Sequence, residues 1–147
     1  MTEVLPIPYD NIDAIAASAF ARSRDCVTAI REDVLHNVKP LDRVGFERLL
    51  GAIERRQIFT QDILVELEVQ LDCLEALIHQ GTTYQEMFDN DPCNVSTTNS
   101  WQETRMTDKA KDIGRAFLVL FDFYHTLLAV HDLMHAETAL SELRQTL

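Results

Sequence analysis

The positions of proline and glycine constrain the fold of this 147-residue chain more than any other feature. The four prolines are at positions 6, 8, 40 and 92, and the four glycines are at positions 45, 51, 81 and 114. Because proline removes a backbone donor and clashes with the preceding turn, it ends helices. The chain is therefore divided into three stretches of about 31, 51 and 55 residues that contain few helix breakers.

Apolar residues recur at three- and four-residue steps through each stretch, which is the spacing of one face of an α-helix. These stripes predict long helices over residues 10–37, 41–57, 60–80 and 101–147. The capping-box sequence Thr83–Glu86 predicts a short helix over residues 83–89. A second capping box, Ser100–Glu103, begins the last helix, and Thr107-Asp108 offers a later start.

Residues 41–80 allow two interpretations. Gln57 and Thr60 occupy the apolar stripe, which indicates either a break near residue 58 or one helix of about 40 residues with a polar layer. Residues 65–73 also alternate like a strand, but the helical pattern extends beyond them on both sides, so we expect a helix there. Gly81 is a suitable C′ residue to end it.

The sequence therefore predicts an all-α fold: an antiparallel bundle of three to four long helices plus one short helix, in a single domain over residues 1–147. Residues 89–99 are rich in Asn, Asp, Ser and Thr and predict a solvated loop. The last helix is apolar on several faces between Ala116 and Val130. A homodimer that completes the bundle is consistent with that pattern.

Charge and composition restrict the classes of partner. The formal net charge of −11 argues against direct binding of nucleic acid or of anionic membranes. The longest unbroken apolar run, Ala116–Phe121, is far short of a membrane span, and the N-terminus lacks the pattern of a signal peptide. Three widely spaced cysteines, Cys26, Cys73 and Cys93, suggest free thiols in a reducing cytoplasm.

The segment from Gln57 to Thr104 contains nine Asp and Glu residues but no Lys or Arg. Within it, Glu68, Asp72 and Glu75 are spaced i, i+4, i+7. They form an acidic ridge opposite the apolar stripe that extends from Leu64 to Ile78. A ridge without balancing cations attracts basic proteins and speeds their association, although an acidic surface can also serve solubility alone. Trp101 is a candidate binding anchor, or it staples the loop to the bundle. The predicted partner-binding residues are Asp62, Glu66, Glu68, Asp72, Glu75, Glu86, Asp89 and Trp101.

Two histidines of the last helix, His131 and His135, are four residues apart and share one face. H-E-x-x-H zinc sites use this spacing, but the intervening Glu is absent here and Glu137 lies on another face. A third ligand would have to come from another helix. The sequence therefore assigns no metal and no cofactor, and it retains His131 and His135 as candidate ligands beside the alternative of partly buried structural histidines.

Arg31 and His36 form the pattern R-x-x-x-x-H. This pattern resembles the active motif of HEPN-type helical ribonucleases, in which Arg and His act on a scissile phosphate across a dimer. The resemblance covers six residues and implies a ribonuclease with these two residues as its catalytic pair. The alternative is a solvated helix end, with His36 favourably placed near the negative end of the helix dipole.

These observations favour an interaction protein over an enzyme. We expect a small acidic protein of the inhibitor, immunity, antitoxin or chaperone type that binds a basic protein partner through its acidic helix face. The alternative function is enzymatic, either a metal-dependent bundle that uses His131 and His135 or a ribonuclease that uses Arg31 and His36.

Overall fold

The computed structural model describes residues 9–87 and 101–146 and, within them, the side chains of residues 13–82 and 105–146. The elements, in chain order, are α1 (Tyr9–Ala29) with a π-helical turn (Ile30–Val34), α2 (Pro40–Glu54), α3 (Gln61–Gln80), β1 (Thr82–Met87), β2 (Trp101–Met106) and α4 (Asp108–Thr146). The predicted all-α bundle is confirmed, and its four long helices correspond to the four predicted ones, although α4 begins later than residue 101.

Contacts between helices show that neighbours run antiparallel. Arg22 of α1 contacts Asp122 of α4, whereas Cys26, one turn later in α1, contacts the carbonyl of Val119, which comes earlier in α4. The same opposed order holds for α3 against α4 and for α2 against α3. Helix α4 packs against both α1 and α3, so it forms the centre of the bundle.

The core consists of the apolar stripes that define the helices, and each long helix contributes to it. Burying a large apolar side chain stabilises the folded state by roughly 1.5–3 kcal/mol, so these residues supply most of the favourable free energy. The largest fully buried side chains include Ile30, Phe46, Leu49, Ile58, Leu67, Leu74, Ile113, Leu120 and Phe123.

A tight turn divides residues 40–80 into two helices, as the first of the two interpretations expected. The amide of Arg56 donates to Ile53 O at 3.0 Å and that of Gln57 donates to Ala52 O at 2.9 Å, which is a Schellman motif. Arg56 has a φ of 59°, a left-handed conformation usually reserved for glycine. Its guanidinium lies 4.2 Å from the ring centroid of Phe20, so this turn is fastened to α1.

The short helix predicted over residues 83–89 is wrong, because residues 82–87 form strand β1. It pairs antiparallel with β2, and the register places Thr82 opposite Met106 and Met87 opposite Trp101. The capping box describes only a local preference, whereas the ladder satisfies the same backbone groups with partners distant in sequence. The loop predicted over residues 89–99 lies outside the described residues.

Helix α4 begins at the later of the two expected starts. Thr107 Oγ1 accepts a hydrogen bond from the amide of Ala110 at 3.2 Å, so Thr107 caps the helix. The earlier start at residue 101 is wrong, because residues 101–106 belong to β2.

Gly81 ends α3 without a left-handed conformation, since its φ and ψ are −90° and 9°. A Cβ at this position would lie 2.5 Å from Ala110 Cβ and 2.8 Å from Thr107 Oγ1. Glycine is therefore required here by the close approach of the end of α3 to the start of α4.

Candidate functional site

The acidic ridge lies on the solvent-exposed side of α3. Glu68, Asp72 and Glu75 are all exposed, and α3 contains no Lys or Arg. Glu75 Oε1 is 3.9 Å from Nε2 of His79, and both side chains are mostly in solvent, so this contact leaves the carboxylate accessible. The three carboxylates therefore present negative charge to solvent along one side of the bundle.

Glu68 is held by a contact from the neighbouring helix. It accepts a hydrogen bond from the hydroxyl of Tyr124 in α4. This hydrogen bond, with burial and the nearby negative charge of Glu68, raises the pKa of Tyr124 to about 12. The contact positions one end of the ridge against the bundle.

Two apolar side chains stand beside the ridge. Val65 and Val69 are 50% and 53% exposed, although they belong to a helix whose leucines are buried or partly buried. Their i, i+4 spacing places them on one line, next to Asp72. We define the outer face of α3 as Val65, Glu68, Val69, Asp72 and Glu75. This face combines negative charge with an apolar surface.

The sequence did not single out the two valines. The available signal was their position off the Leu64–Ile78 stripe, since an apolar residue away from the buried face of a helix is expected to remain exposed. The sequence contains no comparable signal for the hydrogen bond from Tyr124 to Glu68. The two residues belong to different helices, and only the packing of these helices brings them together.

The other predicted acids of α3 lie apart from the ridge. Glu66 is turned toward α2, where its Oε1 is 3.1 Å from Nη2 of Arg48 and its side chain is 20% exposed. It also accepts a hydrogen bond from Gln70. Asp62 is exposed in the first turn of α3, where its charge stabilises the helix dipole.

Two of the remaining predicted partner-binding residues lie in the paired strands. Glu86 lies in β1 opposite Gln102, and Trp101 is the first residue of β2. The expectation that Trp101 opens the last helix is therefore wrong. Asp89 lies outside the described residues.

His131 and His135 lie together on α4, as their spacing predicted. Their Nε2 atoms are 3.0 Å apart and their ring centroids 4.2 Å apart. Both line a half-open cavity of about 190 Å³ between α4 and the start of α3, with walls that include Phe59, Leu64 and Leu127. Among the described residues, no group of three or more His, Cys, Asp or Glu side chains is placed to hold a metal ion.

Arg31 and His36 lie at the π-helical end of α1. Arg31 Nη2 is 2.6 Å from Glu54 Oε1, and both side chains are more than half exposed. His36 is exposed in the turn that follows. The guanidinium that the ribonuclease resemblance would direct at a phosphate is thus paired with a carboxylate of α2.

Helix α4 has an apolar outer face as well as a buried one. Leu118 is 66% exposed and Phe121 is 44% exposed. The ring of Phe121 packs against those of Phe117 and His125. Among the described helices, α4 alone is long and apolar enough to cross a membrane by length and composition, a property that it shares with core helices of soluble proteins.

The comparisons with known proteins provide no relative from which the role of these residues could be inferred. No protein-family model, curated protein or solved structure matches the chain.

Proposed function

We propose that this chain is a protein–protein interaction protein that binds a basic partner through the outer face of α3. The observation that supports this most is the combination of the solvent-exposed acidic ridge with Val65 and Val69. Carboxylates on a helix that contains no Lys or Arg attract a basic surface at long range and orient it. Apolar side chains beside them offer area that a partner can bury after the encounter.

The chemistry of the face specifies the partner. It would carry Lys or Arg residues around one or two apolar side chains, as a basic amphipathic helix does. Ion pairs at the rim contribute only about 0.2–1 kcal/mol each, so the charges govern the rate and selectivity of association. Burial of the two valines supplies the short-range part of the affinity. This is the recognition expected of an inhibitor, immunity, antitoxin or chaperone type of protein.

The free cysteines support a cytoplasmic location. Cys26 and Cys73 are both unpaired, and burial raises the pKa of the Cys26 thiol well above its ordinary value. Unpaired thiols are typical of a reducing compartment.

Affinity capture from the native cell tests the proposal when three forms of the protein are compared. The face variant carries Asp72→Lys and Glu75→Lys, and it spares Glu68 because Tyr124 bonds to it. The matched control carries Glu47→Lys and Glu142→Lys, which change the net charge equally at two other exposed sites.

We expect the wild type and the control to capture the same basic protein, and the face variant to lose it. Capture should also fall at high salt, because the Debye length shortens from about 10 Å at 0.1 M to about 3 Å at 1 M. Equal capture by the face variant and the control would contradict the proposal.

We also propose that a second copy of the chain covers the outer face of α4. Between Arg115 and Asp132 the one charged side chain besides histidine is Asp122, which is paired with Arg22. An uncharged face is where two copies of a protein of net charge −11 can approach with least repulsion. Sedimentation of the wild type and of Leu118→Glu tests the dimer. The wild type should sediment as a dimer and Leu118→Glu as a monomer. A monomeric wild type would contradict the proposal.

A further inference from the structure

The His131–His135 pair is a second region with unassigned chemistry, separate from the outer face of α3. The two imidazoles project from α4 into the mouth of the cavity. His131 retains 37% side-chain exposure, and His135 is exposed. Both rings are therefore accessible to a small solute while one side of each is supported by the bundle.

The separation of the two nitrogens suits a shared metal ion. Zinc and similar ions bind imidazole nitrogen at about 2.0–2.1 Å. Two such bonds to Nε2 atoms 3.0 Å apart meet at roughly a right angle at the ion. That is the angle between adjacent ligands in the tetragonal and octahedral geometries of Cu²⁺ and Ni²⁺, and a small opening reaches the tetrahedral angle of Zn²⁺.

The donors around the pair indicate which class of metal would bind. The described lining of the cavity contains the two imidazoles, the thioether of Met134 and the hydroxyls of Thr60 and Thr138, and none of these described residues carries a carboxylate. Imidazole favours late first-row transition metals, whereas Mg²⁺ and Ca²⁺ require several oxygen ligands that are often charged.

We propose that His131 and His135 chelate one late first-row transition-metal ion per chain through their Nε2 atoms. Asp132 Oδ1 is 3.9 Å from Nδ1 of His131, beyond hydrogen-bond distance, so this carboxylate lies near the ring without occupying its Nε2 atom. Because the chain supplies two ligands, the other coordination positions are open toward solvent and the cavity. Such a site binds metal reversibly and can accept an additional ligand.

Equilibrium dialysis of the full chain against Ni²⁺ tests the proposal. Nickel is a suitable probe because free thiols do not reduce it readily, as they do Cu²⁺. The wild type should bind one ion per chain. His131→Ala and His135→Ala should each weaken binding by roughly tenfold or more, since each converts a chelate into a single-ligand site.

Three further variants make the result specific to the pair. His36→Ala and His79→Ala remove exposed histidines elsewhere and should leave binding unchanged. The double variant His135→Ala with Ala136→His keeps the composition but moves the second imidazole off the face of His131, so it should bind as weakly as His135→Ala.

Thermal unfolding provides an independent readout. Ni²⁺ should raise the Tm of the wild type and of His36→Ala, because the ion binds the folded pair preferentially, and at the same concentration it should raise the Tm of His135→Ala by less. The proposal is wrong if the wild type binds less than one ion per chain, if His135→Ala binds as tightly as the wild type, or if the register-shifted variant retains the affinity. The exposed position of His135 keeps its replacement compatible with the fold.

Discussion

The contact between Gly81 and the start of α4 predicts an unusual response to a conservative substitution. At Gly81 the backbone has a negative φ, so alanine is conformationally allowed and, by backbone entropy alone, would stabilise the fold by about 0.4–1 kcal/mol. The added methyl would lie 2.5 Å from Ala110 Cβ, however, and Ala110 is fully buried. It would also press on Thr107 Oγ1, the cap of α4.

Overpacking of this kind costs about 1–3 kcal/mol, and disturbance of the cap adds up to about 1 kcal/mol. We therefore expect Gly81→Ala to lower the free energy of unfolding by about 1–3 kcal/mol, after the entropic gain is subtracted. For a domain of this size that corresponds to a Tm lower by roughly 3–10 °C. Urea unfolding followed by far-UV circular dichroism gives the free energy directly.

Gly114→Ala is the matched control. A Cβ there would meet only Met106 Cε, at 3.9 Å, and the residue lies in the interior of α4. Because glycine is about 1 kcal/mol less favourable than alanine inside a helix, this variant should be more stable than the wild type. In a double-mutant cycle, Ala110→Gly should recover part of the loss caused by Gly81→Ala. The argument is refuted if Gly81→Ala equals or exceeds the wild type in stability.

Three other predictions follow from particular contacts. Tyr124 should ionise with a pKa of about 12, and Glu68→Gln should lower that pKa, as measured by phenolate absorbance. Because the pKa in the folded state exceeds the ordinary 10.0, the contact should stabilise the fold fully below about pH 10 and lose this effect as the pH rises through 12. Unfolding measured at each pH checks this dependence. Thiol labelling with mass spectrometry should modify Cys73 before Cys26, which is buried and has a strongly raised pKa, and equal rates would contradict the packing. Arg56→Gly should be more stable than Arg56→Ala by about 1–2 kcal/mol, because both lose the contact with Phe20 but only glycine relieves the left-handed backbone; chemical denaturation of the two variants measures the difference.

Much of the fold could be predicted because helices are specified by local patterns. The proline at position 40 begins α2, and the stripe from Leu64 to Ile78 identifies α3 as a helix despite its short alternating segment. Each of these features acts within a few residues, through the missing donor of proline or the 3.6-residue period. A single sequence is therefore sufficient to predict the start of α2 and the helical structure of α3.

The hairpin could not be predicted in this way. Residues 82–87 carry a capping box, but their backbone groups bond to residues 101–106. The free energy of that ladder depends on a partner strand distant in sequence, and no local pattern encodes the pairing. Gly81 shows the same limit, since the sequence indicated a helix stop while the contact with Ala110 explains the need for glycine.

The sequence by itself determined the helices, the single long acidic segment and the i, i+4 spacing of the two histidines, because these are properties of order along the chain. Only the tertiary structure decided which acids face solvent. Packing turned Glu66 toward Arg48, attached Glu68 to Tyr124 and left Val65 exposed. Packing also set the two imidazoles at the mouth of a cavity. Exposure and accessibility depend on which faces the neighbouring helices cover, and that follows from the arrangement of the whole bundle in space.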